Sequence, residues 1–248
     1  MKATDDTALL NFDEAFESPL DQLSDADSPL PNADEMLALL DSSDSEERIV
    51  AARAFCELEE ERAIAPLIQL LDDPCALVRV SAAYALGRNI SEAAIAALVE
   101  RYDREWNGYV RKGIVWALGT CQSFQTVAPL LKALRTDIAA VRLWAASSLG
   151  QIGETDYESA VKAVPPLIIA LRQDPVPAVR GNCAWSLGQL CRDLPSNAIY
   201  AGAVDALIEA LVEDEELGIK DDARSALLKL GDARALQIIE ELEQEGWL

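Results

Sequence analysis

The chain has 248 residues, of which 21 are Lys or Arg and 43 are Asp or Glu, so its formal net charge is −22. So negative a charge argues against direct binding to nucleic acid or to an anionic membrane surface, because both contacts require a basic face. The sequence has no histidine, which excludes Ser-His-Asp and Cys-His nucleophile systems, histidine general bases and histidine-ligated zinc. Composition therefore favours a binding protein over an enzyme, although catalysis by carboxylates stays open.

The first 31 residues carry eight acidic residues, one lysine and three prolines. This composition predicts a flexible acidic tail over residues 1–31. Its large apolar residues recur at spacings of 3, 4, 4 and 3, at Leu9, Phe12, Phe16, Leu20 and Leu23. Two interpretations stay open: a solubilising arm, or a short amphipathic element that docks into a groove of this chain or of a partner. Asn32, with Glu35 three residues later, predicts the start of the first helix.

A ten-residue phrase that begins with Val-Arg and ends with Leu-Gly recurs through the rest of the chain. Its four clear copies span 78–87, 110–119, 141–150 and 179–188, and weaker copies begin at Glu47 and near Ile219. The arginine of the phrase stands at Arg48, Arg79, Arg111, Arg142 and Arg180. Successive copies are therefore 31, 32, 31 and 38 residues apart. Self-similarity at this period is typical of repeat proteins.

A second apolar segment precedes each phrase, for example at 127–134 and 164–171, with the period of an α-helix. Proline early in that segment predicts a helix start, and the glycine at the end of the phrase predicts a helix stop. Each repeat is thus predicted to be helix A, a turn, helix B and a glycine cap. We place the repeats near 33–60, 61–90, 91–122, 123–157, 158–200 and 201–232, with inserted loops near 154–160 and 192–200 and a capping helix at 233–248.

Two helices cannot bury their apolar faces alone, whereas six stacked pairs can. The phrase, its Asp-Pro-type turn and its spacing resemble the HEAT repeat, and in particular the short HEAT-like repeat of phycobilisome lyases and their relatives. The resemblance covers roughly residues 33–248. It implies an all-α, right-handed α-solenoid (a superhelix) of about six helix pairs plus a C-terminal capping helix, over residues 32–248, with the B helices lining the concave face.

The resemblance also implies functions. Members of this family attach or detach bilins on phycobiliproteins, promote phycobilisome degradation or act as adaptors, and a cyanobacterial member associates with an IscA-type iron–sulfur scaffold. Hydroxylases of the superfamily bind iron through His-Glu pairs, an activity that a chain without histidine cannot carry. In the family pattern, the arginine after valine pairs with an Asp of an A–B turn. This implies a structural ladder of the five arginines with Asp72, Asp73, Asp137, Asp174 and Asp214. An anion-binding row is the alternative, which the acidic surroundings disfavour.

Counted from the valine of the phrase, positions +3, +6, +7 and +10 are predicted to share one side of helix B. The predicted partner-binding residues on this side are Tyr84, Arg88, Trp116, Thr120, Trp144, Gln151, Asn182, Trp185 and Gln189. The aromatic residues either pack between helices or form a concave binding strip. Trp and Tyr are common energetic anchors of interfaces, and a planar ligand such as a bilin could also stack on them.

Five cysteines without a C-x-x-C motif indicate neither a disulfide framework nor a zinc knuckle. Cys75, in a predicted turn, should be the most exposed, and Cys121 and Cys191 follow the glycines of their repeats. A shared iron–sulfur cluster needs three or four converging thiolates, which residues so far apart along a solenoid supply poorly. We therefore predict no metal site, with these three thiols as the only candidates, and no cofactor held by the isolated chain; a bilin or an iron–sulfur cluster held by the partner stays possible.

The predicted function is a non-enzymatic protein-binding scaffold whose partner is a protein client or assembly factor. By resemblance it would be an accessory factor in the maturation of a cofactor-bearing protein, with an iron–sulfur scaffold as the partner. The alternative is a phycobilin lyase or a lyase-like subunit. The sequence lacks a signal-peptide pattern and a run of ~20 apolar residues that could span a membrane. We therefore expect a cytoplasmic protein without membrane insertion.

Overall fold

The computed structural model describes residues 30–152, 157–192, 194–195 and 197–246. This part of the chain forms 13 α-helices, one short 3-10 helix at Glu61–Ala63 and no β-strand. The α-helices are α1 (Ala33–Leu39), α2 (Ser45–Ala54), α3 (Ile64–Leu70), α4 (Ala76–Arg88), α5 (Glu92–Arg104), α6 (Gly108–Thr120), α7 (Phe124–Thr136), α8 (Ala139–Ile152), α9 (Tyr157–Gln173), α10 (Pro177–Leu190), α11 (Ala198–Glu213), α12 (Leu217–Leu230) and α13 (Ala233–Gln244). The predicted tail up to residue 29, with its apolar residues, lies outside the described residues, as do Trp247 and Leu248.

The helices alternate as the repeats predict. Odd-numbered helices from α1 to α11 are the A helices, even-numbered helices from α2 to α12 are the B helices, and α13 follows the sixth pair. The predicted all-α fold of helix pairs is therefore confirmed. None of the described helices combines the length and the apolar character that crossing a bilayer requires.

The chain divides into two compact units, the first ending at Cys121 and the second beginning at Gln122. In the first unit, α4 packs against α2 and α6; in the second, α10 packs against α8 and α12. The B helices supply much of the core, with fully buried Leu86 and Leu118 in the first unit and Leu149 and Leu187 in the second. Each phrase thus buries its apolar residues against the neighbouring copy within the same unit.

Local sequence signals explain where helices begin. The Asn32 side chain accepts hydrogen bonds from the backbone N–H groups of Asp34 and Glu35 at 2.9 and 3.2 Å, as the sequence predicts. The first-turn position predicted for the A-helix prolines is wrong in two helices. Pro129 lies inside α7 and Pro166 inside α9, because both helices begin several residues earlier than the apolar period indicates.

The glycines of the phrase are not helix caps, and this prediction is wrong. Gly87, Gly119, Gly150 and Gly188 all lie inside their B helices, and none of the four has a positive φ. Glycines with positive φ end α12 and α13 instead: Gly231 has φ of 65° and Gly246 has φ of 76°.

Three of these glycines lie where consecutive B helices approach one another most closely. A Cβ on Gly87 would lie 2.8 Å from Ala117 Cα, and a Cβ on Gly188 would lie 2.8 Å from Ala226 Cβ. The residue approached is at position +7 of the next phrase. Position +7 therefore faces the preceding repeat and is buried. Our prediction that it shares one side of helix B with positions +3, +6 and +10 is wrong.

Candidate functional site

Within each unit, the arginine of the phrase joins one repeat to the next. Arg48 donates to both oxygens of Asp73 at 2.8 and 3.2 Å, and Arg180 donates to both oxygens of Asp214 at 2.8 Å. Arg142 does the same with Asp174 at 2.7 and 2.8 Å. In each case the acceptor belongs to the A–B turn of the following repeat. The Nη1 group of each arginine also donates to a backbone carbonyl of its own turn.

The second repeat uses a glutamate instead. Arg79 donates to both oxygens of Glu105 at 2.9 and 3.0 Å, and the Glu105 side chain is fully buried. Burial opposes ionisation of Glu105, but hydrogen bonds from Arg79, the Asn107 backbone and Arg101 outweigh it and hold its pKa below the usual range. Sequence reasoning missed Glu105 because its turn has no Asp-Pro.

One other ladder residue has a partner that differs from the expectation, since Asp72 pairs with Arg101 rather than with an arginine of the phrase. Arg111 Nη1, like that of the other arginines of the phrase, donates to backbone carbonyls of its own turn, those of Glu105 and Trp106. The arginines are thus engaged by carboxylates and carbonyls of the fold, which leaves the edge formed by the A–B turns a structural element rather than an anion site.

The outer side of the B helices has a different character. We call it the B-helix strip, defined by positions −1, +3, +6 and +10 counted from the phrase valine. In the first unit the Tyr84 and Trp116 rings meet edge to face with centroids 5.4 Å apart. Tyr84 is buried and Trp116 is half-buried, while Arg88 is exposed and Thr120 is half-buried. A Cβ on Gly87 would lie 2.9 Å from Trp116 Cζ3, so the indole tip rests on that glycine.

The polar members of the strip in the first unit hold the repeats together. Thr120 Oγ1 donates to the Gly87 carbonyl at 2.8 Å, and Arg88 Nε donates to the Cys56 carbonyl at 3.2 Å. Each bond crosses from one B-helix repeat to the preceding one. These two residues therefore contribute to repeat stacking, and the other guanidinium nitrogens of Arg88 remain on the exposed side.

In the second unit Trp144 and Trp185 are both half-buried. A Cβ on Gly150 would lie 3.0 Å from Trp185 Cζ3, the same arrangement as Trp116 over its glycine. Asn182 Nδ2 donates to Ser147 Oγ at 2.9 Å and to the Leu143 carbonyl at 3.3 Å. Gln151 is exposed and Gln189 half-buried.

The aromatic residues thus combine the two alternatives that the sequence leaves open. The tips of Trp116 and Trp185 fill the space above the preceding glycine, while the half-buried indoles keep part of their surface exposed. Tyr84 goes further towards packing, since only 7% of it is exposed. The absence of a side chain at Gly87 and Gly150 therefore leaves room for an aromatic residue of the next repeat.

In α8 and α10 the strip carries no charged residue, in a chain whose net charge is −22. In α12, the other B helix of the second unit, it includes Asp222 and Lys229. In α8 and α10 its residues are Ala140, Trp144, Ser147, Gln151, Ala178, Asn182, Trp185 and Gln189. Uncharged residues with half-exposed aromatic rings are typical of the centre of a protein interface. None of these eight side chains is a carboxylate, an amine, a thiol or a phenol.

Two polar atoms beneath this side have no hydrogen-bond partner among the described residues: the Tyr84 hydroxyl and Trp144 Nε1. Burial, with nearby Tyr109 and Cys56, raises the pKa of Tyr84, so its hydroxyl stays neutral. Buried polar atoms without partners cost stability. The aromatic positions are therefore not optimised for folding alone.

The cysteines offer little chemistry at the surface. Cys121 and Cys191 are buried, and burial raises their pKa values to about 11 and about 12. Cys75 is half-buried and is the most exposed of the five. In the described ranges no group of three or more His, Cys, Asp or Glu residues is arranged to hold a metal ion. Of the three candidate thiols, Cys75 alone reaches the surface.

Comparisons with known proteins agree with this geometry. The family of HEAT repeats matches residues 33–119, 104–164 and 164–246. No curated protein matches the sequence.

Solved structures with the same fold include three that are informative. A designed armadillo repeat protein in complex with the peptide (KR)4 has a TM-score of 0.63 at 22% identity, covering 81% of this chain and 100% of that one. The complex of CpcE and CpcF of phycocyanin lyase from Nostoc sp. PCC7120 has a TM-score of 0.57 at 23% identity, covering 86% of this chain and 84% of that one. Kap95p, from its complex with RanGDP, has a TM-score of 0.58 at 19% identity, covering 84% of this chain and 33% of that one.

At these identities the structures share the fold alone, a repeat scaffold suited to binding peptides or proteins. The arginine ladder, the glycine contacts and the match over three segments lead to one conclusion: the chain belongs to the HEAT repeat family.

Proposed function

We propose that this protein is a non-enzymatic scaffold that binds a partner protein along the B-helix strip. The observation that carries the proposal is the uncharged, aromatic strip of α8 and α10 in a chain of net charge −22. Water is released from Trp144 and Trp185 when a partner covers them, and each such anchor can contribute ~2 kcal/mol or more to binding. The glutamines and Asn182 around them supply hydrogen bonds at the rim.

The partner is an IscA-type iron–sulfur scaffold, and this protein is an accessory factor in the maturation of a cofactor-bearing protein. The choice of partner rests on the resemblance of the repeated phrase to the HEAT-like family. Any iron–sulfur cluster stays on the partner. Burial of Cys121 and Cys191 supports this, because a thiolate ligand must be deprotonated and accessible to the iron.

A titration tests the proposal directly. The purified IscA-type scaffold, with and without its cluster, is titrated into the full-length protein in a calorimeter. We expect saturable binding, and we expect iron to leave a gel-filtration column with the scaffold rather than with this chain. No binding by a helical, monodisperse sample would contradict the proposed partner. Stable iron on this chain alone would contradict the proposed division of roles.

A second function is favoured by the similarity to the phycocyanin lyase complex and by the half-exposed indoles. In this alternative the strip cradles a bilin as part of a lyase or a lyase-like subunit. Mixing the protein with free phycocyanobilin separates the two functions. The scaffold predicts an unchanged bilin spectrum, whereas the lyase predicts a shifted absorbance band that co-elutes with the protein.

A further inference from the structure

Two grooves of the second unit occupy equivalent places in consecutive repeats, between neighbouring A helices. The groove between α7 and α9 has a volume of about 450 Å³, and the groove between α9 and α11 about 220 Å³. Their walls correspond position by position when counted back from Asp174 and Asp214, which follow α9 and α11. The residues that line the two grooves can therefore be compared one by one.

In the smaller groove, the arginine is paired with a carboxylate of the same groove. Arg172 donates to both oxygens of Glu209, at 2.6 and 2.9 Å. Glu213 lies on the same wall. The cation of this groove is thus paired with a carboxylate of the adjacent A helix, five residues before Asp214.

The larger groove has the arginine but lacks both glutamates of the smaller groove. Arg135 stands in the place of Arg172, two residues before the aspartate that follows its helix. Ile169 stands in the place of Glu209, and Gln173 in the place of Glu213. Arg135 Nε donates to the Leu131 carbonyl at 3.1 Å, and no carboxylate in the described part of the chain pairs with its guanidinium.

The rest of the larger groove is mainly apolar. Ile169 is 57% exposed, and Pro166, Ala170 and Leu134 form the wall beside it. Asp174 and Asp137 also line the groove, but Asp174 is paired with Arg142, and Asp137 has an interaction of its own. Among the described residues, the groove therefore offers one cation without a carboxylate partner, next to an exposed apolar surface.

We propose that the α7–α9 groove docks a segment of a partner protein that carries an Asp or Glu next to a large apolar residue. The partner carboxylate takes the place on Arg135 that Glu209 takes on Arg172, where the planar guanidinium can donate two parallel hydrogen bonds to it. The neighbouring apolar side chain covers Ile169 and Pro166. An arginine without a counter-charge in a strongly acidic chain supplies the charge complementarity. The site lies on the A helices and does not depend on the B-helix strip.

Selection from random peptides tests this docking site directly, whatever the natural partner is. A phage library of random 12-residue peptides is selected on the full-length protein and depleted on its Arg135→Gln variant. We expect enriched peptides that share an acidic residue next to Leu, Ile or Phe. Arg135→Gln should weaken their binding up to about fivefold, the upper range for loss of an ion pair at the surface. Arg172→Gln, at a cation already paired internally, is the matched control and should leave binding unchanged.

Two further variants change the carboxylates of the grooves: one adds a carboxylate to the larger groove, and the other removes both glutamates from the smaller groove. Ile169→Glu places a carboxylate where Glu209 stands in the next repeat, and should block peptide binding while leaving the melting temperature unchanged or raised. Glu209→Ile combined with Glu213→Gln reproduces the open groove one repeat later, and should raise the peptide stoichiometry from one to two. The proposal is overturned if no peptide is enriched, if the enriched peptides lack an acidic residue, or if Arg135→Gln leaves their affinity unchanged.

Discussion

Polar groups have opposite environments in the A–B turns and on the outer side of the B helices. In the turns, buried charges are fully paired, as in Arg79 with Glu105 or Arg180 with Asp214. On the outer side, the strip of α8 and α10 has no charges, and two polar atoms close to the strip's aromatic residues have no partner among the described residues. The difference indicates that the turns set the register between repeats, whereas the strip of α8 and α10 leaves an uncharged, half-exposed surface, which is the binding surface that we propose.

Register within each unit is set because Arg48, Arg79, Arg142 and Arg180 each contact two repeats at once. In Arg180, for example, the Nη1 group is bound to its own turn, and the remaining donors reach the next turn. A shift of one repeat against the next would break both contacts and leave a buried charge. The following variants test this comparison, from the largest expected effect to the smallest.

Glu105→Gln should be the most damaging change. It leaves the Arg79 guanidinium, of which 4% is exposed, without its counter-charge. Removing one partner of a buried ion pair costs ~3–5 kcal/mol of unfolding free energy, which urea denaturation measures. Glu209→Gln is the control, because it breaks an ion pair whose side chains are 42% and 47% exposed and should cost ~0–1 kcal/mol. Equal losses in the two variants would contradict the distinction between buried and exposed pairs.

Gly188→Ala tests the contact between consecutive B helices. The added Cβ would lie 2.8 Å from Ala226 Cβ and 3.0 Å from its Cα, so the helices must separate. We expect a loss of ~1–3 kcal/mol in unfolding free energy, as for overpacking of a core. At Gly218, in helix α12 of the same unit, a Cβ would meet nothing within 4 Å. Gly218→Ala should therefore be neutral or stabilising by up to ~1 kcal/mol, and a loss there would contradict the steric explanation.

Asp214 links stability to pH. Hydrogen bonds from Arg180 lower its pKa, and the Glu216 backbone contributes further. A carboxyl whose pKa is lower in the folded state stabilises the fold above its unfolded pKa of about 3.9, and that contribution is lost as the pH falls below it. The unfolding free energies of the wild type and of Asp214→Asn should therefore differ at pH 7 and converge below about pH 4.

Asp222 provides a control of opposite sign. Burial, followed by repulsion from Asp221, raises its pKa. Ionisation of Asp222 therefore opposes folding at neutral pH. Asp222→Asn should raise the unfolding free energy at pH 7, and the gain should disappear in acid. A gain that persists at pH 3 would show that the effect does not come from ionisation.

Tyr84→Phe should have the smallest effect. The hydroxyl is buried and has no partner among the described residues, so its removal costs no hydrogen bond. We expect the unfolding free energy to stay the same or to rise by up to ~1 kcal/mol. A clear loss would show that the hydroxyl has a partner in solution.

Much of the fold could be predicted from the sequence, because the phrase recurs several times and so shows the period of the repeats. The helix pairs, the N-cap at Asn32 and the arginine of the phrase all follow from local signals. The role of the phrase glycine could not be predicted from local signals. A glycine at the end of an apolar helix pattern fits both a cap and a close helix contact, and only the neighbouring repeat decides between them.

The binding surface was less predictable for the same reason. The period of helix B places Trp116 and Trp185 on one side, but their half-buried state depends on the glycine of the preceding repeat. Glu105 replaces the expected aspartate because the longer side chain still reaches Arg79. That Arg135 has no carboxylate partner in the described part of the chain becomes evident only when two grooves are compared.

The most direct test of the central claim is a paired measurement of stability and affinity on the double variant Trp144→Ala/Trp185→Ala. The account predicts at least a tenfold loss of affinity for the IscA-type scaffold, about 1.4 kcal/mol. It also predicts a stability loss smaller than the ~3–5 kcal/mol that a fully buried aromatic residue would cost at each site. Trp106→Ala is the control, because this residue is 69% exposed in an A–B turn and lies off the strip. A folded double variant that binds as tightly as the wild type would contradict the assignment of the B-helix strip as the binding surface.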